Sequence, residues 1–520
     1  MTDGTHHILW VDDEIELLRS QIMFLEAKGF TVATAASGEE AVAAVRQRPF
    51  DLVLLDEMMP GMDGLAALGE LRRLRPELPA IMATKSEKEE LVGEALGLRI
   101  DDFLLKPLNP AQVLASCRRV LDGRALAEDQ TVRQYAAAAA EFRSFDYGAL
   151  DWRGWIDHYR ALLRWEMTLS GLRDDGMHAS HEATIQEANL EFGRFVEQQY
   201  PGWLHGSQRP VLSVDVVDRY LGPAVRAKRP CLFVILDCMR LDQWLSIEPL
   251  LRETFDIAVD HYYSILPTAT PYARNAIFSG LFPAQIARNS PQLWERSDVP
   301  SETSRNRHEH QLFSQQLARL KLQPSPEARY VKVYNIDEGR EFRRAFPSLS
   351  QVPLVALVVN FMDILVHFRA ESQVLQEIAP DVRAFRELTR TWFSNSDVWH
   401  VMRTAAAQGR TVVVTTDHGS IRGRRAAVMK AGKDTSANLR YKSGSNISGD
   451  HRQTVWVKAP ADYQLPEEYK GQQYLIAKED FYLVYPTRVE EYRRRYEGTF
   501  QHGGISMEEM ILPVAVMTPK

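Results

Sequence analysis

At 520 residues, with 45% hydrophobic and 25% charged positions and a formal net charge of −7, the chain has an ordinary globular composition that excludes general disorder; the length fits about three domains. Its three cysteines, Cys117, Cys231 and Cys238, lack metal-like spacing, which argues against a disulfide framework or a thiolate zinc site; Cys238 reads as a small buried hydrophobe. The start, Met1-Thr-Asp-Gly-Thr-His-His, has no basic segment followed by an apolar one, and no apolar run approaches a membrane span, so a cytoplasmic location without a membrane segment is expected.

Residues 1–122 carry 21 acids against 13 bases, a net of −8 that leaves about +1 for the rest. Ile8-Leu-Trp-Val11 is a short apolar strand ending in Asp12 and Asp13, and Asp51-Leu-Val-Leu-Leu55 is another ending in Asp56, followed by Met58-Met-Pro-Gly-Met-Asp-Gly64. Three carboxylates converge at strand ends. With the Met58 carbonyl they form a hard oxygen set suited to Mg²⁺, which would offset charge while Asp56 attacks a phosphoryl donor. Pro79-Ala-Ile-Met-Ala83 leads to Thr84, and Asp102-Phe-Leu-Leu-Lys106-Pro107 adds a lysine. This series resembles a response-regulator receiver, a flavodoxin-like α/β domain. The resemblance implies phosphorylation of Asp56 by a cognate histidine kinase, a hydrogen bond from Thr84 to the aspartyl phosphate, a cationic contact from Lys106, and an aromatic, Phe103, that reorients on activation. A plain core position is the alternative for Phe103.

Residues 123–208 read as a helical-bundle linker. Val132–Phe142 favours helix by propensity, Trp152–Trp165 carries apolar residues at helical spacing, and Glu182–Tyr200 continues the pattern until Pro201-Gly202. Its Trp and Tyr stripe is expected to be core, with a dimer surface exposed by phosphorylation as the alternative.

Residues 209–520 hold the chemistry. Cys231-Leu-Phe-Val-Ile-Leu precedes Asp237, Pro353-Leu-Val-Ala-Leu-Val-Val359 precedes Asp363 and His367, and Thr411-Val-Val-Val-Thr-Thr416 runs into Asp417-His418-Gly419. These are buried parallel strands with ligand-type side chains where the strands end. Asp363 and His367, at i and i+4, share one helical face. Thr270 precedes Ala273-Arg-Asn-Ala-Ile-Phe278, which could open a helix whose N–H groups cradle phosphate oxygens. His502 lies in Phe500-Gln-His-Gly-Gly-Ile505, ahead of a capping-box pattern, Ser506-x-x-Glu509. Carboxylates and imidazoles hold catalytic zinc, and two ions about 4 Å apart can clamp both oxygens of a phosphoryl transfer.

The order and local words of these seven residues resemble the alkaline phosphatase superfamily, in particular its PglZ branch. The resemblance implies one zinc on Asp363, His367 and His502 and another on Asp237, Asp417 and His418, with Thr270 as nucleophile and bridging ligand. A sulfatase needs Cys or Ser followed by Pro and Arg at set spacing, and Thr270-Pro271-Tyr272-Ala273-Arg274 fails both tests. The threonine resembles that of the nucleotide phosphodiesterase members, by analogy. With no thiolate in the sets, manganese remains open beside zinc.

Arg422, Arg424, Arg425, Lys430, Lys433, Arg440, Lys442 and Arg452, with Tyr441 among them, follow the Asp417-His418 pair. They read as a polyanion-binding loop, Arg422, Arg424, Arg425 and Lys442 being the substrate-binding candidates, or as a solvated charged face. The whole chain resembles the PorX-like response regulators associated with type IX secretion. That likeness implies a catalytic output acting on cyclic or linear oligonucleotides, a sigma-factor partner and a phosphorylation-dependent homodimer. A signalling adaptor with little cleavage and a phosphomonoesterase are the competing readings.

Overall fold

Five short apolar runs at the start of the chain pair into one parallel sheet, and a second, larger sheet forms after residue 230. The computed structural model describes residues 6–85, 100–172, 174–294, 306–324, 326–432, 435–436 and 438–520; residues 1–5 of the amino-terminal reading, and Lys433, lie outside them. Residues 1–142 with 171–173 form one compact unit, and residues 143–170 with 174–520 a second. Among the described residues no helix is long and apolar enough to cross a membrane.

In the first unit, β1 (His7–Val11), β2 (Thr31–Ala35), β3 (Leu52–Asp56), β4 (Ala80–Thr84) and β5 (Asp102–Leu105) lie in the order β2-β1-β3-β4-β5, all parallel. This is the flavodoxin-like doubly wound order. Alternate residues of each strand feed opposite faces: Leu9, Val11, Val53 and Leu55 enter one apolar cluster, while Ile8, Trp10, Leu52 and Leu54 enter another. Helices α1 (Arg19–Glu26), α2 (Gly38–Gln47) and α3 (Gly64–Leu74) intervene. Ser37 caps α2 by accepting from Glu40 N–H, and Asp63 caps α3 by accepting from Ala66 N–H.

Helix α4 spans Pro110–Arg143 without a break. The boundary expected at 122/123 therefore falls inside a helix, because after Pro110 nothing stronger than Gly123 interrupts it and the alanine run sustains it. Two helices follow, α5 (Trp152–Leu169), capped by Asp151, and α6 (Asp175–Trp203), capped by Asp174. Pro201 does not end α6 as expected; it sits in the last turn, where its missing N–H costs one hydrogen bond. The aromatic stripe is core: Trp155, Tyr159, Phe192 and Tyr200 are buried. Phe192 stacks on Tyr263, and Trp203 meets the same ring edge-on at 5.1 Å. Both helices thus belong to the second unit.

That unit is organised by β6 (Cys231–Leu236), β7 (Phe255–Tyr263), β8 (Arg329–Val333), β9 (Leu354–Val359), β10 (Thr411–Thr415) and β11 (Ile511–Pro519), in the order β7-β11-β10-β6-β9-β8. β8, β9, β6 and β10 are parallel; β11 runs antiparallel to both its neighbours. Every residue of β6, β9 and β10 is buried, as strands covered on both faces require. Helices α7 (Leu241–Leu251), α8 (Thr270–Ser279) and α9 (Phe361–Glu371) follow β6, β7 and β9.

Candidate active site

The carboxyl ends of β6, β9 and β10 converge, as open α/β sheets place their sites. Asp237 follows β6 directly, Asp363 and His367 share a face of α9, Asp417-His418 lie just beyond β10, and His502 follows the short strand Phe500–Gln501. Asp363, His367 and His502 bring ligand atoms within 4.8 Å of one another, and so do Asp237, Asp417 and His418. In the first set, His367 Nε2 and His502 Nε2 stand 3.4 and 3.5 Å from Asp363 Oδ1. In the second, His418 Nε2 stands 3.8 Å from Asp237 Oδ1 and 3.7 Å from Asp417 Oδ2. The rings of His418 and His502 stack, with centroids 4.3 Å apart, and join the sets.

Thr270 opens α8 and is buried, its Oγ1 2.9 Å from His418 Nε2. His418 Nδ1 faces the Gly419 carbonyl at 3.1 Å, which fixes the ring and aims Nε2 at the threonine. Asp237 Oδ1 and Asp417 Oδ2 are buried without hydrogen-bond donors among the described residues, and Asp363 Oδ1 faces the two imidazoles of its own set. Buried charges in that state call for a cation. Burial raises the pKa of Asp237 and of Asp417, against the pull of Arg274. At Asp363 burial is outweighed by His367, His502 and His418, which hold the carboxyl below the usual range. Both sets offer only nitrogen and oxygen donors, so they fit zinc or manganese.

The helix start does not offer the expected row of N–H groups. Tyr272 N–H and Ala273 N–H both donate to the Ala269 carbonyl at 2.9 Å, and Pro271 has no N–H. The Ser506–Glu509 pair bonds reciprocally through side chains: Ser506 Oγ accepts from Glu509 N–H and donates to Glu509 Oε2, while the same carboxylate also takes Gly504 N–H and Arg440. Cys238 is buried against Leu365, Val366 and Phe385, a small hydrophobe as expected.

Of the basic residues between 422 and 452, read as a polyanion-binding loop or a solvated charged face, several have partners within the fold. Arg422 donates to the Gly498 carbonyl, Arg424 pairs with Glu182, and Arg425 pairs with Glu479 and Asp480. Arg440 is buried against Glu509, and Lys442, also buried, donates to the Ser436 carbonyl. Tyr441 packs edge-on against Tyr272. Lys430 and Arg452 are exposed.

Sequence reading missed the residues that hold Asp237. Arg274 and Asn360 both donate to its Oδ2, and Glu309 and Asn306 extend that network to the Thr270 carbonyl. The available signals were the position of Arg274 one turn after Thr270 and that of Asn360 at the end of β9.

In the receiver unit Asp12, Asp13 and Asp56 form a third set within 4.8 Å. Lys106 Nζ reaches Asp12 Oδ2 at 2.9 Å and Asp56 Oδ2 at 2.8 Å. Burial raises the Asp56 pKa, Lys106 lowers it, and the Met58 backbone donates to the carboxylate. Thr84 is buried at the end of β4 and donates to Glu57. Phe103 is 39% exposed on β5, which removes the plain core reading.

The chain matches the family described as the BREX system PglZ alkaline phosphatase-like domain over residues 216–517, the response regulator receiver domain over 8–118, and the PorX response regulator linker domain over 125–204. It is 29% identical over 222 residues to the transcriptional regulatory protein BaeR of Escherichia coli O6:H1, covering 42% of this chain and 90% of BaeR. It is 39% identical over 121 residues to the transcriptional regulatory protein ZraR of Escherichia coli O157:H7, covering 23% of this chain but only 27% of ZraR. Among solved structures, the chemotaxis protein CheY4 of Vibrio cholerae is similar at 31% identity over 23% of this chain and 100% of CheY4, with a TM-score of 0.22.

Proposed function

The chain belongs to the PglZ alkaline phosphatase-like family, as a two-component response regulator with a receiver and a PorX linker ahead of its PglZ domain, and from that premise we propose that its output is metal-dependent hydrolysis of phosphodiesters in cyclic or linear oligonucleotides. One observation carries the reading: the buried Thr270 hydroxyl sits against His418, at the point where two three-residue ligand sets are joined by stacked imidazoles. Asp363, His367 and His502 would hold one zinc ion, and Asp237, Asp417 and His418 the other, with Thr270 as a shared ligand. Bound there, the metal would offset charge developing on phosphorus and lower the pKa of the threonine hydroxyl. Thr270 Oγ1 attacks phosphorus, the ester oxygen departs, and water then cleaves the phospho-threonine. Diester over monoester follows the threonine, by its likeness to the nucleotide phosphodiesterase members of the superfamily.

The receiver implies a histidine kinase partner. Phosphorylation falls on Asp56; Asp12, Asp13, Asp56 and the Met58 carbonyl would hold Mg²⁺, which would offset charge there, and Thr84 and Lys106 read the phosphoryl group. It shifts a homodimer equilibrium, since receivers act by biasing a two-state surface, and Phe103 is the aromatic placed to report the change. By the same likeness the protein works in the cytoplasm with a sigma factor to control type IX secretion.

Metal analysis of the purified chain, with hydrolysis of a nitrophenyl phosphate, its diester and cyclic oligonucleotides, tests the chemistry. Two tightly held metal equivalents and faster turnover of diesters are expected. Cleavage of the monoester alone overturns the diesterase reading, and turnover that survives complete chelation overturns the metal reading. Acetyl phosphate with Mg²⁺ should shift the sedimentation profile of the wild-type chain but not of Asp56→Asn.

A further inference from the structure

We propose that Arg274, anchored by Glu309, is the positioning residue that turns a single oxygen of Asp237, Oδ1, toward the cluster it forms with Asp417 and His418. The proposal rests on the metal reading above and specifies how that site is held.

Arg274 lies four residues after Thr270 on α8, so the two side chains share a helix face. Its guanidinium is 1% exposed and splits its donors. Nη1 donates to Asp237 Oδ2 at 2.5 Å, and Nε donates to Glu309 Oε1 at 2.6 Å. Asn360 Nδ2 adds a second bond to the same Asp237 oxygen at 2.7 Å. Two donors thus converge on Oδ2, while Oδ1 has none among the described residues and faces His418 Nε2 at 3.8 Å. A carboxylate restrained through one oxygen and bare at the other is set to ligate through the bare one.

Glu309 is itself over-determined. Besides Arg274 it accepts from Tyr330 OH and from Asn306 Nδ2 at 2.6 Å, and Lys332 Nζ stands 3.4 Å away. Asn306 Nδ2 also reaches the Thr270 carbonyl at 3.2 Å. One buried carboxylate therefore ties both Asp237 and the turn carrying the nucleophile, which keeps ligand and hydroxyl in register. A substrate-reading role fits poorly: the guanidinium is closed to solvent and its Nη1 is committed to Asp237, with Asp417 Oδ2 the next carboxylate at 3.9 Å. Lysine cannot replace it, because a point ammonium cannot span the two directions of the fork.

The test uses the full chain, stripped with chelator and titrated with zinc chloride by calorimetry in excess Mg²⁺, with Asp363→Asn marking the step that belongs to the other cluster. Arg274→Gln should weaken the Asp237–Asp417–His418 step by about 10- to 100-fold and leave the other in place. Glu309→Gln and Arg274→Lys should weaken that same step, and they carry the test if Arg274→Gln does not fold. Unchanged zinc steps in the folded variants overturn the proposal. A raised KM for the nitrophenyl diester with unchanged zinc binding also overturns it, by placing Arg274 on the substrate. A wild-type chain that takes up neither zinc nor manganese overturns the metal reading itself, a result distinct from either.

Discussion

His418 and His502, 84 positions apart in sequence, stack with their planes 14° apart and centroids 4.3 Å apart, so the two ligand sets share a wall. They are not equally costly to disturb. His502 is 2% exposed, whereas the His367 side chain is 53% exposed. Replacing either with alanine should remove one metal equivalent and lower turnover by at least about 10³-fold. In the metal-free protein His367→Ala, which removes an exposed ring but also a partner of Asp363, should cost about 1 kcal/mol or less, while His502→Ala should cost roughly 1–3 kcal/mol. Metal content and urea midpoints of the two variants check the contrast.

Thr270 is buried and nearly isosteric with valine, so Thr270→Val removes the hydroxyl with little change of shape. Turnover of a diester should fall by at least about 10³-fold, while Thr270→Ser, which keeps the hydroxyl, should stay within about tenfold of wild type. The far-ultraviolet circular dichroism spectrum should be unchanged in both. Wild-type rates in Thr270→Val would remove the threonine from the chemistry.

The contrast between what could and could not be read from the chain follows from distance along it. Asp237, Asp363, Asp417 and His418 were legible because each sits in a local word, an apolar strand followed by a ligand-type side chain, and the sheet brings strand ends together. Arg274 was not, because its role depends on Asp237 and Glu309, 37 and 35 positions away, and no local pattern announces a through-space pair. The partners of the basic stretch after His418 were illegible for the same reason. The carboxylates that absorb its arginines come from as far as Glu182, 242 positions before Arg424. The phosphate cradle expected at α8 is narrowed by a local cause: Pro271 lacks the N–H, and the Ala269 carbonyl takes the N–H groups of Tyr272 and Ala273.

His158 is buried among Phe145, Tyr147 and Trp155, and burial pushes its pKa down to about 4. The folded value lies below the unfolded value of about 6.5, so the unfolded chain takes up the proton first and stability drains away as pH falls from 6.5 toward 4. At pH 5 the loss from this group should be about 2 kcal/mol relative to pH 7. His158→Phe, which suits the aromatic surroundings, should shrink the difference between urea midpoints at pH 7 and pH 5 by that amount. An unaltered difference would show that the imidazole titrates equally in both states.

Asn189 on α6 clamps the segment after His502 with both ends of its amide. Its Nδ2 donates to Glu508 Oε1 and Oε2 at 3.1 and 3.0 Å, and its Oδ1 accepts from Met507 N–H at 2.9 Å. Glu508 is buried, and burial raises its pKa. Asn189→Ala leaves that carboxylate without these donors and should destabilise the protein by about 2–3 kcal/mol near neutral pH. The sign of the pH effect follows from the raised value. Above the unfolded pKa the native state holds the proton better than the unfolded chain, so stability falls as pH rises through the folded pKa. Removing the donors raises that pKa further, because it is the charged form they stabilise. The cost of Asn189→Ala should therefore be smaller at pH 5 than at pH 8, and Glu508→Gln in the same background should recover part of the loss at pH 8 only. A pH-independent cost in urea denaturation would mean that Asn189 acts through packing and not through the charge of Glu508.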